Sequence, residues 1–192
     1  MNRDQLIYGL GRLAALARQE EWRIGEAAGL TPTQGDVLRL LADRRQGIRL
    51  KDLAAQLSVR PSTASDAVST LVSKGLVERK QDPDQARAVR LVLSPGGRSV
   101  LKSLPDGFTT IVDVLSDRSA EDMYGIVLTT IRQLQQAGRI APQRLCFTCR
   151  YFAADSGAGS AGEHYCRLMN SPLRAPDLRT NCPEHEEIAS SA

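Results

Sequence analysis

Between residues 77 and 93 the spacing of apolar side chains shortens from about 3.6 residues to two, the one such change in a chain that otherwise repeats helically as far as residue 138. Val77 and Arg79, then Val89, Leu91 and Leu93, alternate with polar neighbours on either side of the turn-rich stretch Gln81–Arg87. That pattern predicts a β-hairpin with a long tip. Helical patterns flank it, so the chain is expected to be mainly α with a small β wing. Upstream, Leu6, Leu10, Leu13, Ala17 and Ile24 keep helical spacing across residues 3–28 with no proline among them. Thr31-Pro32-Thr33-Gln34 combines a cap, a proline at the first helical position and a glutamine three residues after the cap. A second helix with Val37, Leu40 and Leu41 inward should follow. After Gln46-Gly47, Leu50, Leu53, Ala54 and Leu57 mark a short third helix. Pro61 opens a fourth, with Ala64, Val68, Leu71 and Val72 in one stripe and an end at Lys74-Gly75.

Downstream of the hairpin, Ser94-Pro95 starts a helix carrying Leu101, Leu104, Phe108, Ile111, Val112 and Leu115, with a kink or break expected at Pro105-Asp106-Gly107. Ser119 to Asp122 is a further start signal, and Met123, Val127, Ile131 and Leu134 carry that last helix to Gly138. From Ile140 periodicity fades. Gly and Ser crowd residues 156–162, and Pro172, Pro176 and Pro183 predict an irregular remainder.

A composition of 42% hydrophobic and 24% charged residues is that of a soluble globular protein. Neither a basic-then-apolar leader nor a long apolar run is present, so no membrane association is expected and the cytoplasm is the default location. No nucleophile–base pair, paired carboxylates, phosphate loop or nucleotide fingerprint is apparent, which argues against an enzyme. Twenty basic residues against sixteen acidic ones precede residue 141, and five against six follow. The mild basic bias of the first part permits nucleic-acid binding.

Three helices, the third and fourth forming a helix-turn-helix, then a wing and flanking long helices, suit duplex DNA, with the fourth helix entering the major groove. The sequence resembles the MarR family of winged helix-turn-helix transcription regulators over roughly residues 5–138. The resemblance lies in Leu53-Ala54 to Leu57, Pro61-Ser62-Thr63-Ala64-Ser65, Leu71 to Val77, Asp82-Pro83 and Leu93-Ser94-Pro95-Gly96-Gly97-Arg98. It implies a homodimer whose long N- and C-terminal helices interleave, two recognition helices and wings on a near-palindromic site in double-stranded DNA, and regulation, usually repression. Relief of repression would follow a ligand or oxidant that changes the spacing of the two DNA-binding lobes.

The recognition helix carries Asp66 where many members of that family have arginine, and it has no Lys or Arg from Ser62 to Ser73. Base readout then rests on the hydroxyls of Ser62, Thr63, Ser65 and Ser69, which both donate and accept. At the wing tip Gln85-Ala86-Arg87 replaces the family's acidic-basic-basic run, leaving Arg87 to enter the minor groove. Arg60, Arg79, Lys80 and Arg90 are the expected phosphate contacts. Tyr8 and Trp22 on the first helix line an effector pocket or pack in a core or interface.

All four cysteines, Cys146, Cys149, Cys166 and Cys182, fall in the last 47 residues with the spacing C-x2-C-x16-C-x15-C. The C-x2-C pair aims two thiolates at one group across a tight turn, and two further sulfurs brought back by loops complete four ligands. A zinc ribbon would close with a second C-x2-C, which is missing; widely separated third and fourth ligands suit an iron-sulfur cube of the 4Fe-4S type. The tail is similar in spacing to high-potential iron-sulfur proteins, and Phe147, Tyr151, Phe152 and Tyr165 can shield such a cluster. Zn2+ is the alternative, with His164 and His185 as further donors or as surface or supporting residues. A thiol switch joining Cys146 to a distant partner is a third option.

The expected division is residues 1–140 for DNA binding and dimerisation and residues 141–192 for a small, irregular, metal-binding tail. The leading expectation is a repressor whose DNA affinity follows the metal or redox state of that tail. The alternatives are a MarR-type regulator with structural zinc and a small-molecule effector, an electron carrier or thiol enzyme with a winged-helix body, and a winged helix used only for protein contacts.

Overall fold

Side-chain caps at Asn2, Thr31, Ser94 and Ser116 open four helices in this computed structural model, which describes residues 2–83, 85–154 and 164–188. Asp84 of the expected wing loop and the Gly/Ser-rich stretch 156–162 lie outside the described residues. Helix α1 (Arg3–Ala28) starts at Asn2, whose side chain accepts the backbone N–H groups of Asp4 and Gln5, and stops at Gly29, where φ is 64°. Helix α2 (Pro32–Ala42) opens with the expected capping box between Thr31 and Gln34. Helices α3 (Leu50–Gln56) and α4 (Pro61–Ser73) follow.

These helices meet around Val37, Leu38 and Leu41 of α2, with Leu53 from α3 and Ala64, Val68 and Leu71 from α4. The wing closes the cluster with Val77 of β1 (Val77–Asp82) and with Leu91 and Leu93 of β2 (Gln85–Leu93). Each buried Leu or Val here contributes about 1.5–3 kcal/mol by leaving water. The two strands pair antiparallel from Val77↔Leu93 onward, and Ile48 adds a one-residue bridge to Leu91.

The wing differs from the sequence expectation at its tip. Strand β2 already begins at Gln85, so Gln85-Ala86-Arg87 is strand rather than loop. A register shift between Gln81 and Asp82 pairs Asp82 with Gln85 and turns the Asp82 side chain inward.

The expected break after the wing is present. Helix α5 (Pro95–Lys102), capped by Ser94, ends before Pro105, and a single turn, α6 (Thr109–Val112), follows. Gly107 lies so close to the Ala17 carbonyl of α1 that a Cβ has no room. Gly107→Ala is therefore expected to destabilise this unit by about 2 kcal/mol, read as a lower urea midpoint at unchanged slope. An unchanged midpoint would show that α1 yields.

Contacts divide the chain into Met1–Leu115 and Ser116–Ala192. The last long helix, α7 (Asp117–Gln136), thus groups with the cysteine-bearing tail, whereas the sequence suggested a boundary after residue 140. It also starts one turn earlier than expected, because Ser116 is the cap and accepts the Ser119 N–H at 3.2 Å. Leu128 of α7 is buried with Leu145, Cys146 and Leu178 of the tail, and Tyr124, Ile131, Phe147, Phe152 and Leu173 pack around them.

The tail is more ordered than the expected irregular lobe. A 3-10 turn (Cys146–Thr148) precedes β3 (Phe152–Ala153), β4 (His164–Cys166) and β5 (Ser171–Leu173), which form one antiparallel sheet in that order. A second 3-10 turn covers Ala175–Asp177. Among the described residues no helix is long and apolar enough to cross a membrane.

Candidate functional site

Helical spacing puts Ser62, Ser65, Asp66 and Ser69 on one face of α4. Ser62, Thr63, Asp66 and Ser69 are exposed, while Ser65 is half-buried. The stripe Ala64, Val68 and Leu71 is committed to the core. Arg60 precedes the helix, exposed, and no side chain caps the first turn, so its N–H groups point out beside that arginine. That is the arrangement a phosphate group accepts.

On the wing, Arg79 reaches back to Ser69 Oγ at 3.5 Å, the outer limit of a hydrogen bond, and so leans on α4. Lys80 pairs with Glu78 at 3.5 Å, and Arg87 is exposed on β2. Arg90 is placed differently from the other expected phosphate contacts. Its Nε lies 3.1 Å from Asp82 Oδ1, while Arg49 Nε donates to Asp82 Oδ2 at 2.6 Å. The Asp82 side chain is 0% exposed and those of Arg90 and Arg49 are 18% and 37% exposed. This clamp ties the residue before α3 to both wing strands, so Arg90 positions the wing. Sequence reasoning noticed Asp82-Pro83 but missed Arg49 and the clamp, because a charge at a strand end reads as solvated until the bulge turns it inward.

The N-terminal helix leaves a wide apolar surface within one chain. Leu6, Ile7, Tyr8, Leu10 and Trp22 are all exposed. An exposed apolar face of this extent marks an association surface.

The second unit gathers the cysteines. All four line one cavity of about 500 Å³, whose rim includes Leu168 and Met169. Cys146 and Cys149 are buried; Cys166 and Cys182 are half-buried. Three local devices place them. The 3-10 turn carries the C-x2-C pair and is closed by the Cys149 N–H donating to the Cys146 carbonyl at 3.0 Å. Cys166 ends β4. Cys182 is held by its N–H on the Arg144 carbonyl at 3.0 Å, next to Pro183, whose carbonyl accepts from the Arg144 guanidinium. Residues 185–188 then strap the C-x2-C loop. Arg150 N–H donates to the Glu186 carbonyl, and Tyr151 Oη donates to Glu186 Oε1, both at 2.9 Å.

Burial pushes the Cys146 thiol above its ordinary pKa, the Arg179 N–H on its sulfur pulls the other way, and nearby Cys182, Cys149 and Cys166 push it up again. Crowding of this kind favours the neutral thiol at Cys146. Among the described residues no three His, Cys, Asp or Glu side chains close on a point that would hold a single ion. The histidines serve other ends: His185 Nε2 is 3.0 Å from Thr148 Oγ1, and His164 packs against the Phe152 ring at 4.9 Å. Neither lines the cavity.

Residues 30–89, from the loop after α1 into β2, match the MarR family model. An uncharacterized HTH-type transcriptional regulator of Bacillus subtilis, YwhA, is 24% identical over 103 residues, which is 54% of this chain and 73% of that one. A MarR transcriptional regulator from Methanosarcina mazei superposes with a TM-score of 0.60 at 18% identity, covering 70% of this chain and 99% of that one. The S. aureus MepR–DNA complex gives 0.54 at 24% identity, covering 66% of this chain and 96% of that one. These likenesses show the winged-helix fold. Both solved chains are matched nearly end to end, while a large remainder of this one finds no counterpart in them.

Proposed function

We propose that this chain is a MarR-type transcription regulator that binds double-stranded DNA as a homodimer, and that a metal centre held by Cys146, Cys149, Cys166 and Cys182 sets its DNA affinity. The family match over the helix-turn-helix and most of the wing supports the DNA-binding half, as does the capture of a relative of the same fold on DNA. The bare apolar face of α1 supports the dimer. Two-fold symmetry would then match a near-palindromic operator with half-sites about 34 Å apart.

The observation that carries the regulatory half is the convergence of all four thiols on one cavity. Zn2+ would draw four sulfurs to about 2.3 Å from one point. A cavity lined by all four thiols, with no three of them closing on one point among the described residues, suits a 4Fe-4S cluster, in which each sulfur holds a different iron. Such a cluster would supply a one-electron couple and bonds that oxidants break. The chain's own part is to hold it: Cys146 and Cys149 from inside, Cys166 and Cys182 nearer the opening, Leu168 and Met169 at the rim.

Purification without oxygen, metal and sulfide analysis and a visible spectrum test the centre. Brown protein with iron and sulfide is expected; colourless protein with one zinc per chain would replace the cluster by structural zinc. Mobility-shift titrations against the gene's own upstream region, with loaded and metal-stripped protein, test the regulation. A change in Kd of tenfold or more is expected, and equal affinities would transfer control to a small-molecule effector.

Arg87→Ala tests the DNA interface. It should weaken binding about tenfold and reduce the slope of log K against log salt by about one. Unaltered affinity and slope would remove the wing from the interface.

A further inference from the structure

One peptide group joins helix α7 to the cysteine cavity. The Tyr124 hydroxyl donates to the Leu178 carbonyl. The N–H of that same peptide group belongs to Arg179 and donates to Cys146 Sγ at 3.2 Å. The Arg179 carbonyl accepts the Cys146 N–H at 3.1 Å, so the two segments hold each other on both sides of the sulfur. Around this relay, Leu128 of α7 is buried against Leu145 and Leu178.

A hydrogen bond into a carbonyl oxygen draws electrons from the amide and makes its N–H a stronger donor, since bonds in a chain polarise one another. The oriented hydroxyl thus strengthens the N–H that faces the sulfur. Hydrogen bonds to ligand sulfurs are among the levers that set the potential and lability of a thiolate-bound centre.

We infer that Tyr124 is a positioning residue for the metal centre, acting on Cys146 through the Leu178–Arg179 peptide group and carrying the state of the centre into helix α7. The inference rests on the reading that the four cysteines hold a metal or cluster. A bound centre fixes Cys146 Sγ and with it the Arg179 amide, so Tyr124 keeps its acceptor and α7 stays docked. When the centre is lost, the sulfur is released, the segment from Leu178 to Cys182 loosens, and the N-terminal half of α7 loses its tether.

Full-length Tyr124→Phe, prepared without oxygen beside the parent and Thr130→Ala, tests this. Thr130 donates to the Ile126 carbonyl on an exposed part of α7, so its variant removes a hydrogen bond from the same helix away from the tail. Tyr124→Phe is expected to bind the same amount of metal as the parent. It should release that metal to a chelator three- to tenfold faster and, with a cluster bound, show a more negative midpoint potential, because a weaker N–H bond stabilises the reduced state less. Amide hydrogen exchange gives the second readout: stripping the parent should speed exchange at residues 124–131 at least tenfold, and the variant should show a smaller difference. Thr130→Ala should match the parent throughout. If Tyr124→Phe loads, releases metal and exchanges like the parent, the relay is wrong while the centre stands. A parent that binds no metal overturns the centre and the role of Tyr124 together.

Discussion

Cys149→Ser is expected to abolish metal binding and to unfold the cysteine lobe while leaving the winged helix intact. Cys149 is buried in the cavity wall and its backbone bridges to Glu187, so the change strikes both a proposed ligand and the strap that covers it. A neutral hydroxyl is a poor substitute for a thiolate. The lobe has little else to stand on. Among the described residues its buried cluster is Leu128, Leu145, Cys146 and Leu178, with Cys149 buried as well, far fewer than the cluster around Leu38 and Leu53. A core of that size does not offset the entropy of ordering the segment, and structural metal supplies about 10 kcal/mol or more in small domains of this kind. Metal analysis should fall to background, and hydrogen exchange across residues 145–154 and 164–188 should rise by two orders of magnitude or more. The urea transition of the first unit should be unchanged. Retention of metal at full stoichiometry would remove Cys149 from the ligand set.

Asp82→Ala should have the largest effect in the winged-helix unit. The carboxylate is fully enclosed and holds two guanidinium groups, Arg49 at 2.6 Å and Arg90 at 3.1 Å. Removing it leaves two like charges facing each other beside the core. Both arginines reach some water, so the cost is expected at about 3 kcal/mol rather than the upper end for buried pairs. The wing loses its side-chain anchor to the start of α3, while the Ile48–Leu91 bridge remains, and DNA affinity should fall more than tenfold even at temperatures where the unit stays folded. Denaturant titration and mobility shifts at matched salt measure the two effects. Parent-like affinity in a folded Asp82→Ala protein would show that the wing needs no anchoring to bind.

The winged helix was legible in the sequence because its signals are local. The Thr31–Gln34 box, Pro61 at the start of α4 and the alternation around Val89, Leu91 and Leu93 each act within a few residues, and each reappears in the structure. The Asp82 clamp was not legible, since it joins a strand end to Arg49, 33 residues earlier, through a register shift that no periodicity announces. Strands of two or three residues, such as β3 to β5, are too short to show a period at all. The cysteine spacing pointed to one shared site, and the cavity brings the four thiols together. The partnership of Tyr124 with Leu178 spans 54 residues and was invisible in the sequence.

Helix α7 supplies one wall of the cysteine lobe through Tyr124, Leu128 and Ile131. This fixes where hybrid proteins can be joined. A chimera that grafts residues 141–192 onto the last helix of another winged-helix chain would deliver the sulfurs without the surface they fold against, and the donor helix left behind would carry a bare apolar stripe. The exchangeable piece begins at Ser116, helix included, and the splice belongs between Leu115 and Ser116.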